Sequence, residues 1–336
     1  MRVAITGASG FVGSHLSESL LLHEHEVVAM DQRPPNRGDA DEQPHFTFYA
    51  GDVRDASYVR DGVAGCDLIF HLAAVVGVSK YMSDPFDVLD VNITGTRNVL
   101  DAASEAGTRL VLSSTSEVFG KNPKVPWSED DDRVLGSTTI DRWSYSTSKA
   151  ACEHLALAVH RQRSLPVTIV RYFNAYGPRQ VPNYAASRAI HRVLNGLPPI
   201  VYDSGAQTRC FTYISDIVDG TMAAATTDEA VGEVFNIGSS TETTIKELTE
   251  MILALTGSDL GWQEFSTIEE YGSGYQDIDR RVPDTSKAAE ILGWRATIGL
   301  EEGLRRTIEW AKAHPDWLAG PEPITESAPT TKESSE

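Results

Sequence analysis

Residues 2–13 read RVAITGASGFVG, and this stretch decides the fold. The apolar run over residues 2–6 predicts a buried strand, and residues 11–22, which follow the glycines, predict a helix. Gly7, Gly10 and Gly13 would let the backbone approach a pyrophosphate at the N-terminus of that helix. The stretch therefore predicts a strand–loop–helix unit that binds a dinucleotide, and a tight turn without a ligand is the alternative.

Beyond this unit, short β-rich runs alternate with helical stretches. Further strands are predicted near residues 27–30, 46–50, 68–72, 110–114 and 167–172, and further helices near 87–106 and 144–163. Strands that are separated by helices form parallel sheets with both faces covered. The predicted fold class is therefore α/β, a Rossmann-type doubly wound parallel sheet with a smaller C-terminal substrate-binding lobe.

The alternation becomes irregular after about residue 173, where prolines interrupt it. We expect a dinucleotide-binding domain over residues 1–172, to which segments near 211–240 return. An interleaved substrate-binding lobe is expected over residues 173–318. Residues 319–336 are rich in Ser, Thr, Pro and Glu, and this composition predicts a disordered tail.

The chain of 336 residues has a formal net charge of −19 and a hydrophobic content of 41%. The hydrophobic fraction suffices for a full core. The negative charge argues against nucleic acid and anionic membranes as partners. A small anionic ligand is not excluded, because it needs only local arginines.

The three cysteines are isolated and odd in number, without zinc spacing or a disulfide framework, which is typical of a reducing cytosol. No signal peptide and no apolar run of membrane-spanning length is visible, so we expect a cytoplasmic protein. His23, His25 and the acidic run at residues 130–132 are interpreted as solvated loops, and no metal is expected.

Asp31 ends the second predicted strand, at the position where dinucleotide-binding folds carry an acid. A carboxylate there bonds a ribose 2′-hydroxyl and repels a 2′-phosphate, so it favours NAD over NADP. Arg33 lies two residues further on and leaves NADP as an alternative. An ordinary turn acid is the other interpretation of Asp31.

Tyr145 and Lys149 fall four residues apart on a predicted helix, so they lie on one helix face. A cation that close favours the phenolate, and we expect the phenol to act as a base below its free pKa. The Thr115 hydroxyl can share a substrate proton with it. With a nicotinamide to take a hydride, these groups suffice to oxidise an alcohol.

An ordered set of motifs resembles the extended short-chain dehydrogenase/reductase family, in its nucleotide-sugar-modifying branch, from Met1 to about Trp317. The motifs are Gly7/Gly10/Gly13, Asp52-Val53-Arg54, His71-Leu72-Ala73-Ala74, Asn92, Thr115, Tyr145/Lys149, Arg171-Tyr172-Phe173-Asn174, Gly177-Pro178-Arg179 and Arg209-Cys210-Phe211-Thr212-Tyr213-Ile214-Ser215-Asp216.

The resemblance implies a cofactor site for NAD that is made of Gly7, Gly10, Phe11, Val12, Gly13, Asp31, Asp52, Val53, Leu72, Ala73, Ala74, Asn92, Tyr145 and Lys149. Asp52 and Val53 would contact the adenine. Arg209 would hold a substrate phosphate, since a guanidinium offers a bidentate fork to phosphate oxygens. Asn174 is expected to contact the substrate, while Arg188 faces either the nucleotide or solvent.

The tripeptide Thr115-Ser116-Glu117 distinguishes members of this branch. Simple 4-epimerases usually carry small residues after the Ser/Thr, whereas a carboxylate there suggests chemistry at C5 or C6 of the sugar. GDP-mannose 4,6-dehydratases and UDP-glucuronate decarboxylases carry Thr-Ser-Glu. Residues 142–145, Arg-Trp-Ser-Tyr, and the loop at residues 271–284 resemble the decarboxylases, and this likeness places Tyr275 and Arg281 at the sugar.

The resemblance thus implies NAD-dependent decarboxylation of a nucleotide-linked hexuronate, UDP-glucuronate, to UDP-xylose or its 4-keto form. Tyr145 would be the base, Thr115 would fix the C4 hydroxyl, and Glu117 with Ser116 would handle a proton or a water at C5. Arg281 would hold the sugar carboxylate or the diphosphate. The alternatives are an NDP-sugar 4,6-dehydratase or 4-epimerase, and a redox-sensing binding protein without turnover. The nucleotide base, UDP or dTDP, is open.

A homodimer is expected from the helices near residues 87–106 and 144–163, which the resembling family pairs in a four-helix bundle. Their apolar residues exceed what one core face needs, namely Val88, Val91, Val99, Leu100, Leu155, Leu157 and Val159.

Overall fold

A seven-stranded sheet lies at the centre of the computed structural model, which describes residues 1–35, 44–271 and 275–320. The strands are β1 (Arg2–Thr6), β2 (Glu26–Asp31), β3 (Phe46–Ala50), β4 (Leu68–His71), β5 (Arg109–Thr115), β6 (Val167–Tyr172), β7 (Ala175–Tyr176), β8 (Ile200–Tyr202), β9 (Thr208–Arg209), β10 (Thr212–Tyr213), β11 (Val234–Ile237), β12 (Thr243–Thr244), β13 (Gln263–Phe265) and β14 (Arg280–Arg281). The central order is β11-β6-β5-β4-β1-β2-β3, and every neighbouring pair is parallel.

Helices cover both faces of this sheet, which confirms the predicted fold class. They are α1 (Phe11–Leu22), α2 (Ala56–Val63), α3 (Val78–Ser83), α4 (Pro85–Ala106), α5 (Ser144–Arg163), α6 (Ala185–Leu194), α7 (Ile214–Thr226), α8 (Ile245–Thr256), α9 (Thr267–Tyr271), α10 (Ser286–Ile291), α11 (Leu300–Ala313) and α12 (Pro315–Ala319). The predicted strands and helices are present with ends that move by at most two residues. The short helices α2 and α3 of the first half of the chain were not predicted.

Alternate residues of each central strand enter two separate cores, because successive side chains point to opposite faces of a sheet. Val3 and Ile5 pack with Leu16 and Leu20 of α1, while Ala4 between them packs with the opposite cluster, which includes apolar residues of α4 and α5. The first strand therefore reads as a continuous apolar run and not as an alternating one, as expected for a sheet with two covered faces.

The apolar residues of α4 do not form a surplus, which corrects part of the argument for a dimer. Val88, Val91, Val99 and Leu100 are all buried within the chain. Only residues such as Leu155 of α5 are half-buried and packed at the edge of a core cluster. The apolar count on α4 is accounted for by the intramolecular core, so that count gives no support for an interface.

Three small sheets follow the central one in the second half of the chain, with the orders β10-β7, β12-β9-β14 and β13-β8. β11 joins the central sheet beside β6. The division into domains at residue 172 stays a prediction. Ala319 belongs to α12 and not to the predicted tail, and residues 321–336 lie outside the described residues.

None of the described helices combines the length and the apolar character that a bilayer span requires. Within residues 1–35, 44–271 and 275–320, no three His, Cys, Asp or Glu side chains are grouped as metal ligands.

Candidate active site

A cavity of about 750 Å³ opens where the parallel strands end, lined by the residue that ends or follows each of β1, β2, β4, β5 and β6. Ligands bind at this edge in open parallel sheets. The predicted site residues that line it are Gly7, Gly10, Phe11, Val12, Gly13, Asp31, Val53, Leu72, Ala73, Ala74, Thr115, Ser116, Glu117, Tyr145, Lys149, Asn174, Arg188, Arg209, Tyr275 and Arg281. The fold therefore brings together most of the predicted set.

The glycine turn leaves a cradle that side chains would fill. Gly7 has a φ of +74°, and a Cβ there would lie 2.7 Å from the backbone nitrogen of Ala73. A Cβ on Gly13 would overlap the carbonyl oxygen of Gly7. Gly10 caps α1 without a side-chain hydrogen bond, so backbone N–H groups remain at the helix N-terminus. A cradle of this shape fits the pyrophosphate of a dinucleotide.

Asp31 is held at the rim of this cradle by backbone donors. Its Oδ2 accepts from the Ser9 nitrogen at 3.0 Å, and its Oδ1 accepts from the Arg33 nitrogen at 3.2 Å. The Ser9 hydroxyl in turn donates to the Arg33 carbonyl at 2.6 Å. The carboxylate is thus fixed beside the turn that would hold the pyrophosphate, where a ribose hydroxyl is expected.

Asp52 and Asn92 do not line the cavity, unlike the other predicted cofactor residues. Asp52 pairs with Arg54 at 2.6 Å, and this hydrogen-bonded pair lowers the pKa of the carboxyl. Asn92 accepts from the Val75 nitrogen at 2.9 Å and donates to the Ser148 hydroxyl at 3.0 Å. Asn92 therefore joins the loop after β4 to helix α5 from behind the cavity wall.

Tyr145, Lys149 and Thr115 lie together in the cavity, but the chain alone does not lower the pKa of the phenol. Burial of Tyr145 raises its pKa, the charge of Glu117 raises it further, and a hydrogen bond with Thr115 opposes these effects. Burial also lowers the pKa of Lys149. The expectation of a phenol that titrates below its free value is therefore wrong, because burial and the charge of Glu117 together outweigh the hydrogen bond with Thr115.

Glu117 is clamped between two arginines, one on each carboxylate oxygen. Arg281 Nη1 donates to Oε1 at 2.7 Å, and Arg142 Nη1 donates to Oε2 at 2.5 Å. Burial by itself raises the pKa of Glu117, but the two guanidiniums outweigh it and lower the pKa to about 2. While both arginines hold it, Glu117 is a carboxylate that orients donors and has no proton to give.

Arg209 and Arg281 lie side by side, since β9 and β14 pair in parallel with these two residues in register. Arg209 Nη2 donates to both oxygens of Asp277, at 3.0 and 3.2 Å, and Nη1 donates to the Ile278 carbonyl at 2.8 Å. Burial lowers the pKa of Arg209 to about 10, so it stays a cation at neutral pH. This end of the cavity is therefore positive, despite the net charge of the chain.

Asn174 offers a buried acceptor at the cavity. Its φ is +28°, and no described residue donates a hydrogen bond to its buried Oδ1. Buried polar atoms are normally paired, so an unpaired one that faces a cavity fits a ligand donor. Arg188 also lines the cavity, and its Nη1 donates to the Tyr202 hydroxyl at 2.8 Å.

Sequence reasoning gave no role to Arg142 or Asp277, which pair with the predicted site residues. Arg142 lies three residues before Tyr145, in a stretch that was recognised only as a family resemblance. Asp277 lies four residues before Arg281 in the late loop. A buried carboxylate at Glu117 needs cationic partners. An arginine close to the predicted catalytic tyrosine, such as Arg142, was therefore a candidate that the sequence offered.

The model of the NAD dependent epimerase/dehydratase family matches residues 3–238. The UDP-N-acetyl-alpha-D-glucosaminuronate decarboxylase of Bacillus cytotoxicus is 40% identical over 315 residues, which cover 92% of this chain and 97% of that protein. UDP-glucuronic acid decarboxylase 1 of Danio rerio is 34% identical over 315 residues, 92% of this chain and 72% of that protein. The solved UDP-glucuronic acid 4-epimerase from Bacillus cereus, in complex with UDP-glucuronic acid and NAD, superposes with a TM-score of 0.83 at 30% identity, covering 93% of this chain and 99% of that one.

Proposed function

The chain belongs to the NAD dependent epimerase/dehydratase family, and we propose that it is an NAD-dependent decarboxylase of a nucleotide-linked hexuronate. The relatives that support this proposal act, by their names, on UDP-glucuronic acid or on its 2-acetamido analogue. We therefore propose UDP as the carrier nucleotide and one of these two uronates as the sugar.

One observation carries the proposal: a buried carboxylate and a cavity-lining arginine meet beside the proton-transfer tyrosine. Glu117 and Arg281 form an ion pair of 2.7 Å, and both line the same cavity as Tyr145. An arginine there suits a substrate that carries its own carboxylate, since guanidinium–carboxylate pairs are bidentate and specific. A neutral sugar offers this cation hydroxyl groups but no anion to pair with.

The first step on the protein side is removal of the C4 hydroxyl proton. Tyr145 accepts that proton as its phenolate, and Thr115 bonds the same oxygen to fix its position. Bound NAD⁺ would take the C4 hydride and return it at the end of the cycle. The buried ammonium of Lys149 favours the phenolate once the site is filled. The product of this step is a 4-keto uronate, which is a β-keto acid.

The second step breaks the bond between C5 and the carboxylate. CO₂ leaves, and the electron pair of the broken bond moves to O4 as an enolate, beside Thr115, Tyr145 and Lys149. C5 then needs a proton. Glu117, ionised between its arginines, would orient a water for that transfer together with the Ser116 hydroxyl. Return of the hydride to C4 gives a UDP-pentose. Release of the keto intermediate before that return gives the 4-keto pentose.

An assay with three substrates tests the proposed function. Enzyme with NAD⁺ is incubated with UDP-glucuronate, UDP-N-acetylglucosaminuronate and UDP-glucose, and both CO₂ release and product mass are followed. We expect CO₂ from at least one uronate and no change of UDP-glucose. Inversion at C4 without CO₂ would establish a 4-epimerase instead, and loss of water from UDP-glucose would establish a 4,6-dehydratase.

Asp31 is proposed to select NAD over NADP through the ribose hydroxyls. Asp31→Asn removes a charge-assisted hydrogen bond worth about 1.5–3 kcal/mol, so NAD affinity should fall at least about ten-fold. Repulsion of a 2′-phosphate falls as well, so NADP affinity should rise. The dissociation constants of both cofactors are measured by fluorescence titration. Asp130→Asn, the same change at an exposed site, is the control, and an unchanged NAD-to-NADP ratio in Asp31→Asn would contradict the assignment.

We also propose a cytoplasmic homodimer, as expected from the sequence. The half-buried Leu155, Leu157 and Val159 of α5, with Phe86 of α4 exposed at 77%, support a contact through these two helices. A monomer in light scattering at micromolar concentration would contradict it.

A further inference from the structure

Arg142 holds Glu117 from behind the cavity wall. It lies in the 3₁₀ turn Asp141–Trp143, and its side chain has 0% exposure. The ring centroids of Trp143, Tyr81 and Tyr275 lie 5.1, 5.2 and 5.9 Å from its guanidinium carbon. A guanidinium that is enclosed in this way is out of reach of a ligand in the cavity.

The only hydrogen bond from this guanidinium to the described part of the chain goes to Glu117. No described residue accepts from its Nε or Nη2, although both atoms are buried. Burial of a cation with unpaired nitrogens is costly, and hydrophobic residues of similar volume would fill the space more favourably. The buried position of the Arg142 guanidinium is therefore not explained by packing alone.

Arg281 differs from Arg142 in its access to the cavity. It lines the cavity, and its Nη2 lies 4.0 Å from Asp277, while its Nη1 bonds Oε1 of Glu117. The two oxygens of Glu117 thus face two kinds of partner. Arg281 borders the space where an anion would lie, whereas Arg142 is enclosed away from it.

We propose that Arg142 is a positioning residue, the permanent counter-ion that keeps Glu117 ionised and in place when Arg281 turns to the carboxylate of the substrate. The inference rests on the proposed function, because it requires a substrate that carries a carboxylate. With Arg281 engaged by the substrate, a Glu117 without Arg142 would be a buried carboxylate beside a second one. Such a group takes up a proton.

Other charged and titratable groups face Glu117 from each neighbouring element. They are Tyr81 of α3, Tyr145 of α5, Arg209 of β9, and Tyr275 and Asp277 of the segment before β14. Ser146 adds a hydroxyl at 3.5 Å. None of these groups except Arg209 is cationic, and Arg209 is bound by Asp277. Arg142 is therefore the cation that remains on Glu117 after Arg281 turns away.

The pH dependence of turnover separates this role from a structural one. In Arg142→Met, loss of a cation next to a carboxylate should move the acid limb of kcat upward by about one to three pH units. The acid limb of kcat/KM should move less, because Arg281 still holds Glu117 in the free enzyme. Arg142→Lys keeps the charge and should restore most of the wild-type profile. A uniform loss of activity with unmoved limbs would overturn the proposal.

A measurement without turnover keeps the two proposals apart. In a Tyr145→Phe background, which prevents turnover, infrared difference spectra between neutral and mildly acidic pH should show a protonated carboxyl band in Arg142→Met with bound UDP-glucuronate. The band should be absent from the wild type and from Arg142→Met/Glu117→Gln, a variant without the unpaired charge. No band in Arg142→Met would refute the role of Arg142, whereas absence of CO₂ release by the wild type would refute the proposed function.

Discussion

Tyr145→Phe should lower kcat by about 10²–10⁴ and leave NAD affinity nearly unchanged. We propose the phenol as the group that accepts the C4 proton while Thr115 bonds the same oxygen, since both side chains line the cavity and share a hydrogen bond. The ring of Tyr145 stacks on Tyr81 at 6.2 Å between centroids, and the substitution keeps that contact. The loss should therefore appear in the chemical step alone. Single-turnover reduction of NAD⁺, followed by absorbance, measures that step directly.

Tyr213→Phe is the matched control, since it removes a buried phenol hydroxyl that does not line the cavity. Its turnover should equal that of the wild type. Burial of Tyr145 and the charge of Glu117 both raise the pKa of this phenol. Near-normal NAD⁺ reduction by Tyr145→Phe would rule out Tyr145 as the base.

The parts of the site that follow from the sequence are those set by local geometry. The glycine turn, Asp31 and the Tyr145–Lys149 pair each depend on a few neighbouring residues, and each lies where the motif predicts. The ion pair of Glu117 with Arg281 joins residues 164 positions apart. Arg142, the second partner of Glu117, lies in a stretch that resembles the family, but the resemblance assigns it no role, so only the folded chain reveals the double clamp.

The predicted direction of the Tyr145 pKa shift is wrong for a related reason. The spacing of Tyr145 and Lys149 fixes their separation on the helix, but the sequence does not state how much water the folded cavity excludes. Desolvation acts on the two groups in opposite directions, since it raises the pKa of Tyr145 and lowers the pKa of Lys149. Asn92 shows the same limit: it is a motif residue, yet it bonds Ser148 and Val75 behind the wall.

Charge in this site is organised as a row that alternates in sign. Arg209 pairs with Asp277 at 3.0 Å, Asp277 lies 4.0 Å from Arg281, and Arg281 pairs with Glu117. Arg142 ends the row on the far side of Glu117. A substrate with a diphosphate and a carboxylate brings negative charge to two separate cations of this row. The two anionic groups can therefore be tested one at a time.

Arg281→Ala should weaken UDP-glucuronate much more than UDP-glucose or free UDP. A charge-assisted bond to the sugar carboxylate is worth about 1.5–3 kcal/mol, so a loss of roughly 10–150-fold is expected for the uronate alone. The dissociation constants of the three ligands are measured by calorimetry with NAD present. A Tyr145→Phe background prevents consumption of the substrate during the titration.

Arg209→Ala in the same background is the matched comparison, because Arg209 is the neighbour in register on β9. If Arg209 holds the diphosphate, its removal should weaken all three ligands by similar factors. Arg281→Ala should thus lower the affinity of UDP-glucuronate alone, whereas Arg209→Ala should lower the affinity of all three ligands. Equal losses across the three ligands in Arg281→Ala would assign that arginine to the diphosphate. The carboxylate would then need another partner, and the selectivity of the cavity for a uronate would lose its physical basis.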